Sequence, residues 1–268
     1  MQRLRLAALG DSTSVGIGDP LPGGGWRGWA RLLADALEAT YDVSFRNLST
    51  SGATAGSVLR DQLGDGVAHR PDLASLVVGL NDTLRPGWDP VRVRHEVMTC
   101  AEALTDAGAT LMTARFHDHA RVLGLPGWVR RPWWARVQQV NLVVDEVHRT
   151  YGALVVDLAA CPEVATRPFW SADRVHPSEY GHRAVARRWA GQLMAAGLEV
   201  APPSAQCDRR SVPSWRTDLA WLRDGGALWC GRQAGSLGPG AVRWVWDGLR
   251  GGPADEGEAS PALLRATP

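Results

Sequence analysis

The 268-residue chain is 45% hydrophobic and 21% charged, with a net charge of +1: enough apolar material for one sizeable core, and no single-signed field to hold nucleic acid or an anionic membrane. All 29 basic residues are arginine, and the missing lysine excludes the lysine-bearing phosphate loop, Schiff-base catalysis and Ser-x-x-Lys hydrolysis.

The first predicted element is a buried strand over 4–9, an apolar run that stops abruptly at Gly10-Asp11-Ser12 and so delivers one hydroxyl to its carboxyl end. Further strand-like runs fall near 43–48, 74–79, 109–114 and 153–158, each followed by loop chemistry rich in Gly, Asn, Asp or Ser. Helical patterns at 26–40, 58–63, 90–107, 132–151 and 178–196 alternate with them, and Gly108, Gly152 and Gly197 stand where C-terminal stops belong. Such alternation predicts an α/β fold, a three-layer α/β/α sandwich around a five-stranded parallel sheet. Residues 1–200 are read as one catalytic domain, 201–250 as a Trp-rich helical extension and 251–268, poor in anything to bury, as a disordered tail.

Residues 1–9 hold only a strand-length apolar run without the parts of a secretory leader, and no window reaches the length of a membrane span. Cys100, Cys161, Cys207 and Cys230 form no C-x-x-C pair and read as separate thiols, with Cys207 and Cys230 the one pairing to weigh. The expectation is a cytoplasmic protein, and the arginine-rich, lysine-free composition points to a GC-rich bacterial genome.

A serine hydroxyl is protonated at neutral pH, so Ser12 needs a base within hydrogen-bond reach and donors waiting for the oxyanion. His176 stands just before a proline and a helical pattern, hence on a loop, and Asp173 three residues earlier can hold its Nδ1–H if that loop turns. In an open parallel sheet the carboxyl ends of neighbouring strands converge on one crevice. Gly52 after the second strand and Asn81 after the third are therefore the candidate oxyanion donors beside the Ser12 N–H.

Gly10-Asp11-Ser12, Gly52, Gly79-x-Asn81-Asp82 and Asp173-x-x-His176 occur in the order and spacing of the SGNH, or GDSL-type, hydrolases, and the chain resembles that family over about residues 4–197. The first block departs from it modestly, with Thr13 where the family name has leucine. The resemblance implies a flavodoxin-like sandwich in which Ser12 is the nucleophile, His176 the base and Asp173 the orienting acid. It also implies an oxyanion hole of Ser12, Gly52 and Asn81, and hydrolysis of esters or thioesters with no cofactor and no metal. The expected partner is a small-molecule or lipid-like acyl ester. The alternatives are acyl transfer through the same acyl-enzyme and a catalytically silent ligand-binding module on the same scaffold.

Other motifs yield blander readings. Gly16-x-Gly18 lacks a third glycine, Leu21 occupying its place, and no Gly-x-Ser-x-Gly elbow surrounds Ser12. His117-Asp118-His119 has no further acid or histidine placed to complete a metal site, and reads as a solvated loop. His182 is expected to cap or pack, Asp11 to bond the local backbone, and Trp26 and Trp29 to pack. Leu84, Trp128, Trp133 and Trp134 are candidates for an apolar wall around an acyl chain or aromatic group.

Overall fold

The computed structural model describes residues 1–207. The Cys230 reading, nearly all of the helical extension and the whole tail lie outside the described residues.

Strand β1 (Arg3–Gly10) buries nearly its whole length, as an interior strand of a parallel sheet must. It ends in a single turn, α1 (Ser12–Val15), and the chain then runs through a glycine-rich loop into α2 (Gly28–Leu37) and β2 (Asp42–Asn47). Next come α3 (Ala55–Asp61), α4 (Leu63–Ala68) and β3 (Leu73–Val77), then the short α5 (Leu80–Thr83) and the long α6 (Pro90–Asp106). Strand β4 (Thr110–Arg115) leads through α7 (His119–Val122) into α8 (Gly127–Tyr151), and β5 (Leu154–Asp157) through two 3₁₀ turns into α9 (Glu179–Ala195). The five strands are all parallel in the order β2-β1-β3-β4-β5, the flavodoxin-like winding. Its switch point lies at β1 and β3, where a crevice at the carboxyl ends is expected.

Period-two alternation divides the core. Leu4, Leu6 and Ala8 of β1 pack with Trp29, Leu33 and Leu37 of α2 and Trp189 and Leu193 of α9 on one face. Ala7 and Leu9 face the opposite layer, with Val58 of α3 and Val97 and Leu104 of α6. Helix α8 spans both: Trp133, Val137 and Val140 join the first core, Val143 and Val147 the second.

Pro90 opens α6 as expected, and two other helix boundaries depart from expectation. Pro132 lies inside α8, which begins at Gly127, because the Pro126 carbonyl already accepts from the N–H groups of Val129 and Arg130 and opens the helix one turn earlier. The missing N–H of Pro132 then costs a single bond near the helix entrance. The expected 58–63 helix is two helices, α3 opened by a Thr54–Ser57 capping box and α4 following it.

Candidate active site

Ser12 is the first residue of α1, at the carboxyl end of β1. Asp11 caps that turn, its Oδ1 accepting from the Thr13 N–H at 3.0 Å, as expected of a residue that shapes the local backbone. Gly10 has φ +150°, and a Cβ there would meet the Val77 carbonyl oxygen at 2.3 Å, so glycine is required where β1 turns beside β3. Gln62 holds the same residue from both sides: the Gly10 N–H donates to its Oε1 at 2.9 Å, and its Nε2 donates to the Gly10 carbonyl at 3.0 Å. Asn47 donates to the Ser14 carbonyl at 2.8 Å and ties the far end of the turn to β2.

The structure brings the late histidine onto this turn. His176 Nε2 lies 2.9 Å from Ser12 Oγ, and His176 Nδ1 lies 2.7 Å from Asp173 Oδ2. The Asp173 loop does turn: its Oδ1 accepts from the backbone N–H groups of Val175 and His176 at 2.8 and 3.0 Å and from Ser171 Oγ at 2.6 Å. Burial alone would raise this carboxyl, but the His176 ring and the converging donors hold it down at about 2, so it is an anion at neutral pH.

Two further contacts fix α9 and the chain just before it against the segment that follows Ser12. Buried His182 of α9 accepts from the Trp29 N–H at its Nδ1 (3.2 Å), which leaves Nε2–H to donate to the Ile17 carbonyl at 3.0 Å. Burial lowers its pKa to about 4, consistent with a neutral ring that needs one acceptor and one donor nitrogen. It packs, as expected, and also bridges. Gly18, at φ +104°, passes so close to the Pro177 carbonyl oxygen that a Cβ would stand 2.0 Å from it.

The expected oxyanion donors follow β2 and β3: Gly52 lies on the loop after β2 and Asn81 in α5, after β3. The Asn81 amide donates to the Ala53 carbonyl at 3.0 Å and to Asp11 Oδ2 at 3.3 Å, joining α5 to both the Gly52-Ala53 segment and the Ser12 turn. Gly52, at φ +75°, has open space on its Cβ side. Asp82 is buried and accepts from the Ala55 N–H at 3.0 Å; burial pushes its pKa up to about 6.

The wall candidates separate. Trp133 is a core residue whose Nε1–H donates to Thr83 Oγ1 at 2.9 Å, and Leu84 packs against the same core. Trp128 is 48% exposed on the first turn of α8, and Trp134 lines a cavity at the carboxyl ends of β4 and β5. Trp29 is buried as expected, whereas Trp26 is an exposed residue on the glycine-rich loop.

The solvated-loop reading of His117 and His119 is overturned. Both rings are buried, 3.0 Å apart between His117 Nε2 and His119 Nδ1, and both pack on Trp170. The segment is not extended: Asp118 caps α7, and the turn lets the two rings meet. Among the described residues no group of three or more His, Cys, Asp or Glu is placed to hold a metal ion.

An α/β/α sandwich with a serine, histidine and aspartate linked in series at the carboxyl end of its first strand defines a fold and site of the SGNH hydrolase class. A match to the GDSL-like lipase/acylhydrolase family covers residues 8–184, and the chain belongs to that family. An arylesterase of Vibrio mimicus is 37% identical over 111 residues, 40% of this chain and 52% of that protein, so the match spans about half of that relative's length. An acetylxylan esterase of Geobacillus stearothermophilus is 26% identical over 209 residues, 70% of this chain and 93% of that protein. Among solved structures, the psychrotrophic esterase EstA from Pseudoalteromonas shares the fold with a TM-score of 0.57 at 18% identity, over 72% of this chain and 97% of that one.

Proposed function

We propose that this chain is a serine hydrolase that cleaves carboxylic esters or thioesters through an acyl-enzyme on Ser12. The observation that carries the reading is the unbroken hydrogen-bonded series Ser12–His176–Asp173, assembled from residues 164 apart in sequence. Family membership and the esterase names of the two relatives support the same chemistry.

In this mechanism His176 Nε2 takes the Ser12 proton as Oγ attacks the carbonyl carbon, and Asp173 stabilises the imidazolium while fixing its tautomer. The Ser12 and Gly52 N–H groups and the Asn81 amide stabilise the oxyanion, with Asn81 redirecting the N–H now held by the long bond to Asp11. The tetrahedral intermediate collapses, the leaving alcohol or thiol takes the proton from His176, and Ser12 carries the acyl group. Water then attacks, giving its proton to the same imidazole, and the acid is released with Ser12 restored. Trp128 and Trp134 are the aromatic surfaces available to a small or lipid-like acyl ester. The buried thiols of Cys100 and Cys161 suit a reducing, cytoplasmic setting, and both relatives come from bacteria. No helix among the described residues is long and apolar enough to cross a membrane.

The test is covalent. A fluorophosphonate probe is expected to label the wild-type chain at Ser12 and to leave the Ser12→Ala protein unlabelled and inactive on short aryl esters, with an unchanged melting temperature. Ester turnover by Ser12→Ala at the wild-type rate would refute the assignment.

A further inference from the structure

Asp173 and His176 are carried by one hairpin whose neck is closed by two backbone bonds. The Ser171 N–H donates to the His176 carbonyl at 2.9 Å and the Ser178 N–H to the Phe169 carbonyl at 2.8 Å, which pairs Trp170 with Pro177 in an antiparallel bridge. Between these ends Arg174 stands at φ +54°, a conformation costly for a residue with a Cβ. A strained turn keeps its shape only where its surroundings over-determine it.

The surroundings here include two imidazoles that the mechanism does not use. His117 and His119 both lie on the buried Trp170 ring, at centroid distances of 5.0 and 4.9 Å, and His119 also meets Trp133 edge-on. The His119 ring borders the Arg174 backbone and is close enough to Asp173 and His176 to feel their charges. Both rings are buried, and the contact of 3.0 Å between His117 Nε2 and His119 Nδ1 joins them.

Two apolar side chains would fill this volume without the desolvation that buried ring nitrogens incur. What the nitrogens add is direction: a hydrogen bond between the rings fixes how each is turned, and so which face or edge Trp170 rests on. Burial lowers His119 to about 4 and His117 well below its ordinary value. At neutral pH the loop therefore gains no cation from the pair to oppose the imidazolium that His176 must become.

We propose that His117 and His119 are positioning residues: their hydrogen-bonded pair holds Trp170, Trp170 holds the neck of the hairpin, and the hairpin keeps the Asp173 carboxylate on His176. The inference rests on the Ser12 hydrolase reading and adds to it a support for the triad, supplied by the segment that follows β4.

The experiment removes the bond while keeping a ring. His117 lines a cavity of about 640 Å³, so His117→Phe has room to adjust, and His119→Phe deletes the same bond from the other side. His117→Gln returns an amide to the place of Nε2 and serves as the conservative variant. In the Phe variants a small displacement of Asp173 is expected to lower kcat/KM on short aryl esters by about ten- to a hundredfold. The acid limb of kcat/KM should also move to lower pH by about one unit, as the carboxylate loosens its hold on the His176 imidazolium. Both rings of the pair stay neutral where that limb is read, so their own titration does not produce the shift. His117→Gln should restore most of the rate and return the limb toward its wild-type place.

A lower melting temperature with the limb unmoved, or wild-type kcat/KM in the Phe variants that fold, overturns the proposal. So does a His117→Gln protein as impaired as His117→Phe, or the failure of both Phe variants to fold, which assigns the pair to stability. If the fluorophosphonate labels wild-type Ser12 while the variants behave as wild type, the failure belongs to the pair alone; if the wild type is unlabelled and cleaves no ester, the hydrolase reading itself falls.

Discussion

At the scale of single residues, the carboxyl of Asp173 performs two tasks with separate oxygens. Oδ2 holds the His176 ring, while Oδ1 gathers the Ser171 hydroxyl and two backbone N–H groups that fold the loop. Asp173→Asn therefore keeps the shape of the side chain but places an amide where one acceptor is needed. If the Oδ1 position keeps its oxygen, the new N–H₂ faces His176 Nδ1 and drives the ring to the wrong tautomer. Turnover is expected to fall by about 10⁴ with little change in melting temperature, measured by steady-state kinetics and thermal denaturation. Asn81 also combines roles. Its amide ties Ala53 and Asp11 together, and in the mechanism it supplies one oxyanion donor. Asn81→Ala should lower kcat by about 10²–10³ through the lost donor, and a loss confined to KM would contradict that role.

At the scale of elements, Ser12 and His176 meet because two loops are pressed together, and the contact that admits no side chain between them is Gly18 against Pro177. Gly18→Ala would put a methyl group 2.0 Å from the Pro177 oxygen at a positive φ that alanine disfavours. The loop that carries His176 must then retreat. The expected outcome is a lower melting temperature together with a slower rate of fluorophosphonate labelling at Ser12; labelling at the wild-type rate in a destabilised protein would show that the contact serves folding only. This contact was not legible in the sequence, because residues about 160 apart announce their packing through no local period. The strands and the long helices were legible, since each repeats a burial pattern over two or more turns or several alternations. The one-turn helices α1, α5 and α7 were not, being too short for any period to register. Ser12, Gly52, Asn81, Asp173 and His176 stood out through strand-end position and family resemblance, whereas Gln62 and His182 act through bonds to backbone atoms and leave no motif. The burial of His117 and His119 was missed because alternation assumes an extended chain and the segment turns.

At the scale of the whole molecule, burial of neutral imidazoles sets how stability responds to acid. His182 and His119 are each lowered to about 4 by burial, and His117 well below its ordinary value. In the unfolded chain these rings take up protons near 6.5. Between about 6.5 and 4 the unfolded state thus binds more protons, so the stability they contribute is present above that window and is lost as pH falls through it. Asp82 opposes this: raised to about 6 by burial, it binds a proton more readily when folded, and its contribution is lost as pH rises between about 4 and 6. Buried Asp11 is raised in the same direction, so two carboxyls face three imidazoles, and the balance favours acid destabilisation. The melting temperature should be level near neutrality and drop steadily as pH is lowered from 6.5 to 4. His182→Gln offers the test of which ring matters. Its amide retains a donor and an acceptor toward Ile17 and Trp29, so the variant should fold, melt lower at pH 7 for its imperfect fit, and lose less on acidification than the wild type. An acid slope identical to that of the wild type would assign the effect to His117 and His119 instead, and the corresponding His119→Gln protein would then have to show the shallower slope.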